Sequence, residues 1–250
     1  MEPSVAVIIP TTGEHSLIQA VDSVLAQTYK NVKPYIIIDG PEFTKTATGR
    51  LYRTQTTSKN SYVIQLPENV GKNGFYGHRI FAALPHIINT EFVMFLDQDC
   101  WFEENHVESL VDLIKSYDLN WGYSLRNIVE VDGTFVCQDN CESLGKFTSV
   151  INSRHIDTNC FCLKTSTAIK TCHAWHNGYG ADRVFYNFLE QIDKNYNCTK
   201  EYTVNYRLGG NENSVKAEFF EHYNKLTLEK YNNNFPWSKD YNNEILVFGS

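Results

Sequence analysis

The chain has 250 residues, 42% of them hydrophobic and 20% charged, which is enough apolar material for one substantial core and typical of an α/β protein built as a single domain. A formal net charge of −7 excludes tracking along nucleic acid but leaves small phosphorylated ligands open, because one bound cation can invert the local field. Seven cysteines cannot all pair, no leader-like stretch precedes the first apolar segment, and no apolar run approaches the ~20 residues of a membrane helix, so a reduced, cytoplasmic protein with no transmembrane segment is expected.

Val5-Ala6-Val7-Ile8-Ile9 is a short β-branched run stopped by Pro10, the pattern of a strand buried on both faces. Leu17, Ile18, Val21, Val24 and Leu25 recur at helical spacing over residues 15–28. Tyr35-Ile36-Ile37-Ile38 reads as a second buried strand closed by Asp39-Gly40-Pro41. The Thr-rich stretch 44–60 carries only a weak helical pattern, and Ser61 to Leu66 reads as a third strand. A glycine-rich turn from Asn69 to Gly77 leads into a helix expected to run through Ile88 with a kink at Pro85. Glu91 to Leu96 is a fourth strand, running into Asp97-Gln98-Asp99. Strands separated by helices predict a parallel sheet with right-handed crossovers.

Beyond residue 105 the pattern loosens. Residues 105–117 look like an amphipathic helix, and 121–137 alternate like a hairpin turning at Asp132-Gly133. Residues 140–215 mix loops and helices and hold most of the His and Cys, and an aromatic, Asn-rich tail follows from 217. No repeat or linker interrupts residues 1–250.

Parallel α/β sheets bind ligands at the carboxyl ends of their strands. Here those ends carry Pro10-Thr11-Thr12, Asp39-Gly40, Pro67-Glu68-Asn69 and Asp97-Gln98-Asp99. The carboxylates Asp97 and Asp99, which a turn can bring together, suit Mg²⁺ or Mn²⁺ with diphosphate oxygens completing the shell. Such a cation neutralises charge on a departing nucleoside diphosphate.

Five segments together resemble the family-2 glycosyltransferases of the GT-A fold. They are Val5 to Thr11, Ala20-Val21-Asp22-Ser23-Val24-Leu25-Ala26-Gln27-Thr28-Tyr29, Ile36 to Gly40, Asn69-Val70-Gly71, and Phe95 to Asp99. The resemblance implies an α/β fold with a mixed, mainly parallel, Rossmann-like sheet flanked by helices. Residues 1–104 would then bind a nucleotide sugar, 105–215 would form the acceptor and catalytic half, and 216–250 a helical tail. It further implies an inverting enzyme that moves a sugar from a UDP- or GDP-sugar to a hydroxyl of a glycan or other acceptor, with Mn²⁺ or Mg²⁺.

Residue by residue, the resemblance puts Pro10, Thr11 and Thr12 in the nucleoside pocket and Asp39 on the base. Asp97 lies near the ribose or the metal with Gln98 beside the donor, and Asp99 ligates the metal. Asn69, Gly71 and Lys72 match the Asn-x-Gly loop before a helix, whose backbone N–H groups can meet a phosphate. The leading Gly and the Ser/Thr after Lys of a Walker A loop are absent. In Gly178-Tyr179-Gly180-Ala181-Asp182-Arg183 the family carries an acidic pair. Ala181 replaces the first acid, and Asp182 matches the second, the base that deprotonates the acceptor. Tyr206-Arg207-Leu208-Gly209-Gly210 falls where many relatives offer a metal-ligating His. None stands there, leaving the metal to Asp99 and the diphosphate, or to His222 in substitution.

Two rivals follow from the same residues. A nucleotidyltransferase wants a basic loop after the first strand, which Pro10-Thr11-Thr12-Gly13-Glu14 is not, and a non-catalytic sugar- or nucleotide-binding module would account for Ala181 and the missing His. Cys137, Cys141, Cys160, Cys162, Cys172, His173 and His176 lack the usual Cys-x₂-Cys pairs of zinc sites and are expected to be mainly buried thiols. Trp101, Trp175 and Tyr179 are read either as sugar-stacking platforms or as core.

Overall fold

A computed structural model describes residues 2–56, 59–209 and 215–241. Strand β1 (Val5–Thr11) is buried at every position. It lies between β2 (Val32–Ile38) and β4 (Phe92–Phe95), parallel to both, and that central place explains its unbroken apolar run. Strand β3 (Tyr62–Gln65) adds parallel to β2 at the sheet edge and is mostly exposed, which is why its sequence is mixed. Helix α1 (Leu17–Leu25) turns Leu17, Ala20, Val21 and Val24 inward. The Thr-rich stretch does form a helix, α2 (Thr44–Leu51), but buries only Ala47 and Leu51.

Helix α3 (His78–Ala83) is shorter than expected. Leu84–His86 winds as a single 3₁₀ turn with Pro85 in it, so the proline terminates the α-helix rather than kinking a longer one. Its ring displaces the carbonyl four residues back and it has no N–H to donate.

The second half completes the same sheet with β5 (Trp101–Phe102), β6 (Trp121–Val129), β7 (Phe135–Gln138), β8 (Phe161–Lys164) and β9 (Tyr196–Arg207). The order is β3-β2-β1-β4-β8-β6-β9-β5, with β7 attached to β6. Strand β8 runs antiparallel to both β4 and β6, and β9 runs parallel to β6, so the sheet is mixed where the second half joins the first. The expected hairpin turns at Asp132-Gly133, where Gly133 takes φ 92°, but it pairs only through Asn127–Val129. The rest of β6 is a buried central strand between β8 and β9.

Helices α4 (His106–Ser116), α5 (Thr165–Thr171) and α6 (Ala181–Ile192) pack around this half, and α7 (Ala217–Tyr231) contacts the β7 side. Trp175 is part of the core, stacked on Phe185 at 4.3 Å and edge-on to Phe95 and Phe161. All seven cysteines are unpaired thiols, six of them buried.

Candidate active site

The carboxyl ends of β1, β2 and β4 meet along one rim. At that rim Gln98 ties β4 to β1: its Oε1 accepts from Thr11 Oγ1 (2.6 Å) and the Thr12 N–H (3.1 Å), and its Nε2 donates to Thr12 Oγ1 (3.0 Å). The Gln98 amide is thereby largely spent on holding the rim together. Asp39, just past β2, accepts from the backbone N–H of Val70 (2.7 Å) and of Gly71 (2.9 Å), one to each oxygen. It therefore shapes the Asn69-Val70-Gly71-Lys72 loop and keeps its remaining lone pairs for a ligand. Burial raises the Asp39 pKa, with the two N–H groups acting against it. Position 71 admits only glycine, since a Cβ there would stand 2.2 Å from the Tyr76 carbonyl and 2.6 Å from Asp39 Oδ2.

Asp97 and Asp99 follow β4 into the cleft. The Asp97 backbone N–H donates to Asn159 Oδ1 (2.6 Å), and Asn159 Nδ2 donates to Asp97 Oδ2 (3.3 Å) and to Asp157 Oδ1 (2.7 Å). Asn159 therefore fastens the strand end to Asp157. Burial pushes Asp97 well above the usual carboxylate range, and the neighbouring Asp99 and Asp157 push it further. Burial also raises Asp99, opposed by the Cys100 thiol, whose Sγ donates to Asp99 Oδ1 at 3.5 Å. Arg207 donates from Nε to the Asp99 carbonyl (2.9 Å) and lies over the Trp101 ring at 4.8 Å.

Behind Asp157 lies Arg126, a fully buried cation on β6. Its three nitrogens bind Asp139 (2.8 Å), Glu142 (2.7 Å) and Asp157 (2.7 Å), and Glu142 also accepts from Arg183 (2.7 Å). Asp182, in the first turn of α6, faces the same space. Its Oδ2 is 2.5 Å from His155 Nε2, and its Oδ1 accepts the Arg183 backbone N–H (2.8 Å). Burial works to raise the Asp182 pKa, but His155 and Arg183 outweigh it and hold the carboxyl well below its usual range.

These walls enclose a cleft of about 500 Å³. The residues singled out from the sequence for the donor, the metal or catalysis line it, His222 excepted: Pro10, Thr11, Thr12, Asp39, Asn69, Gly71, Lys72, Asp97, Gln98, Asp99 and Asp182. Tyr179 lines it too and is well exposed. Trp175 does not fit a stacking role, because it is sealed in the core, and Trp101 is covered by Arg207. His222 stands exposed on α7, against Tyr223, and is not among the cleft-lining residues. Gly210 lies outside the described residues.

Arg126, Glu142, His155 and Arg207 also line the cleft and were not legible beforehand, whereas Asp157, which lines it too, falls in the segment Asp157-Thr158-Asn159 whose resemblance to the family points under the acceptor site. For Arg126 the available signal was an arginine inside a strand with Leu125, Ile128 and Val129, since burial there demands carboxylate partners. His155 sits in an irregular stretch with no motif around it.

A divalent cation fits the donor set. Asp97 and Asp99 supply hard oxygens that repel one another, a strain a cation relieves. Among the described residues no group of three His, Cys, Asp or Glu is arranged to hold a metal ion, so a cation here would complete its shell from phosphate oxygens and water. The Cys/His cluster shows no such group either.

An open α/β sheet with carboxylates at its strand ends, joined to a mixed second half that closes a cleft over them, defines the GT-A class of glycosyltransferase folds. The comparisons agree: the model of glycosyl transferase family 2 matches residues 6–162, and the chain belongs to that family. Among solved structures, the S. aureus TarS 1-349 complex with UDP-GlcNAc superposes with a TM-score of 0.63 at 17% identity, covering 92% of this chain and 67% of that one. The complex of the same protein with UDP gives 0.59 at 15% identity, covering 91% and 71%. At such identities the likeness is one of fold. The S. pneumoniae glycosyltransferase GlyA is 26% identical over 123 residues, 47% of this chain and 16% of that protein. An uncharacterized protein of Haemophilus influenzae is 28% identical over 104 residues, 34% of this chain and 70% of its own length. The chain thus spans a small part of GlyA, and it spans 60% of a further crystal structure of S. aureus TarS 1-349. Among the described residues no helix is long and apolar enough to cross a membrane.

Proposed function

We propose that the chain transfers a sugar, with inversion, from a UDP- or GDP-sugar to a hydroxyl of a glycan or other acceptor. The observation that carries this reading is the gathering of Asp39, Asp97, Asp99 and Asp182 in one cleft at the strand ends. Residues 1–104 would hold the donor, with Asp39 and the Asn69–Lys72 loop on the nucleoside side. The solved TarS complexes with UDP-GlcNAc and UDP favour UDP over GDP. Asp97 and Asp99 would hold Mn²⁺ or Mg²⁺, which supplies electrostatic stabilisation of the departing diphosphate. Asp182 would take the proton of the acceptor hydroxyl. The freed oxygen pair forms the new bond to the anomeric carbon. The bond from that carbon to the diphosphate oxygen breaks, and its electrons leave with the nucleoside diphosphate. Seven unpaired thiols fit a reducing, cytoplasmic setting.

The test is thermal stabilisation by UDP, GDP, CDP and ADP, each with and without Mn²⁺, since a ligand that binds only the folded chain raises its stability by mass action. A metal-dependent shift with UDP or GDP is expected; none with any nucleotide would overturn the reading. A second reading, a binding module that holds a nucleotide sugar without transfer, is favoured by the lack of a third protein ligand among the described residues. Release of UDP from a UDP-sugar separates the two.

A further inference from the structure

The contact between Asp182 and His155 joins two distant parts of the chain and is not implied by any motif. His155 is almost fully buried, in the irregular segment before the 3₁₀ turn Thr158–Cys160. A carboxylate can only accept, so the imidazole proton in this contact belongs to Nε2. The other ring nitrogen, Nδ1, is buried with no partner among the described residues. Among the described residues the ring therefore has one polar side-chain partner, and that partner is the candidate base. An imidazole placed only to fill volume would be replaceable by an apolar side chain without an orphaned nitrogen.

We propose that His155 is the positioning residue for Asp182, holding its carboxylate as an anion in one orientation so that its remaining lone pairs face an acceptor hydroxyl. This rests on the reading of Asp182 as the base. The geometry leaves Asp182 little freedom. Oδ2 is fixed by His155 Nε2 and Oδ1 by the Arg183 N–H, one bond to each oxygen, which sets the plane of the carboxylate against the cleft wall. His155 is itself held by the fold, its carbonyl accepting the Gly145 N–H at 2.8 Å.

The charged surroundings of the pair are mixed. Glu142 and Arg126 face His155; Arg183, His78 and Asp97 lie near Asp182. Burial alone would drive Asp182 toward its protonated form, in which it could not accept the acceptor's proton. His155 opposes that tendency through both its charge and its hydrogen bond. Burial works to lower the His155 pKa in turn, and Asp182 raises it.

The test compares the full chain with His155→Gln, His155→Leu and Asp182→Asn. Glutamine keeps an N–H donor but cannot carry charge; leucine keeps neither. The first readout is the ¹³C-carboxyl titration of Asp182, which needs no donor sugar. It is expected to move to higher pH in His155→Gln and further in His155→Leu. The second is UDP release from UDP-GlcNAc as a function of pH. The acid limb is expected to move upward in the same order, and kcat in His155→Leu to fall at least about tenfold, part of the ~10²-fold that general-base loss costs. Donor KM should stay within about twofold, since the contact touches no donor group. An Asp182 titration unchanged in His155→Gln and His155→Leu overturns the inference. Should the leucine variant fail to fold, the glutamine titration decides alone. Asp182→Asn at the wild-type rate would remove the base assignment itself. A slow Asp182→Asn beside a His155→Leu unchanged in rate and pH profile would remove only the role given to His155.

Discussion

Replacing Arg126 with Met should destabilise the protein more than any other single change behind the cleft, and more at neutral than at acid pH. The guanidinium is buried and binds three carboxylates at 2.7–2.8 Å, with the Tyr206 ring 4.3 Å from its carbon. Methionine fills much of the volume but strands Asp139, Glu142 and Asp157. Breaking one buried pair typically costs ~3–5 kcal/mol. The three carboxylates keep other donors: Asp139 accepts the N–H groups of Cys141, Glu142 and Ser143, Asp157 is bound by Asn159, and Glu142 by Arg183. The cost therefore stays near that of one broken pair rather than three. With an unfolding entropy of ~2.1 cal/mol/K per residue, a chain of this size loses ~2 °C of Tm per kcal/mol, or ~6–10 °C in all.

The pH dependence has a definite sign. In the native protein Arg126 and three backbone N–H groups outweigh burial and hold Asp139 below its unfolded pKa. Its stabilisation is complete above the unfolded pKa and is lost as pH falls through the folded one. Without the cation the folded pKa of Asp139 rises, so the penalty is full at neutral pH and is relieved as pH falls through the unfolded pKa. Urea unfolding of both proteins at about pH 7 and at about pH 3.5, below the unfolded Asp pKa of about 3.9, should show the larger difference at the higher pH. A Tm within about 2 °C of wild type, or a difference that grows toward acid, would refute the description of Arg126 as the charge centre beneath the site.

Three further outcomes are expected. Asp99→Ala should abolish the Mn²⁺-dependent part of thermal stabilisation by UDP, and an unchanged Mn²⁺ effect would remove Asp99 as a ligand. Asp182→Asn should leave that UDP stabilisation intact and slow sugar transfer roughly 10²-fold or more, the scale of a lost general base; near-normal transfer would reassign the base. Gly71→Ala drives a Cβ against the Tyr76 carbonyl and Asp39 Oδ2, so it should cost ~1–3 kcal/mol and weaken UDP binding in calorimetry. Wild-type affinity in that variant would show that the loop does not shape the nucleoside side.

Local information carried the first half of the chain. Val5 to Ile9, Tyr35 to Ile38 and Glu91 to Leu96 announced central strands because a parallel sheet covered on both faces admits little but apolar side chains. The ends of those strands then named the cleft residues in advance, since parallel strands deliver their carboxyl ends to one edge. The second half resisted the same reading. Strand β6 looked like one arm of a hairpin, but most of its length pairs with β8 and β9, which lie far along the chain. Pro85 was read as a kink in a helix running through Ile88, whereas the helix stops at Ala83 and Pro85 lies in the 3₁₀ turn that follows. What the sequence determined by itself was the sheet's buried strands and the carboxylates at their ends, because both depend on periodicity and on short-range chain direction. What only the tertiary structure decided was the support of those carboxylates: Arg126 beneath Asp157, Asn159 between Asp157 and Asp97, and His155 against Asp182, 27 positions away. Such partners are chosen by desolvation at the site, which requires some buried donor but leaves its position along the chain unspecified.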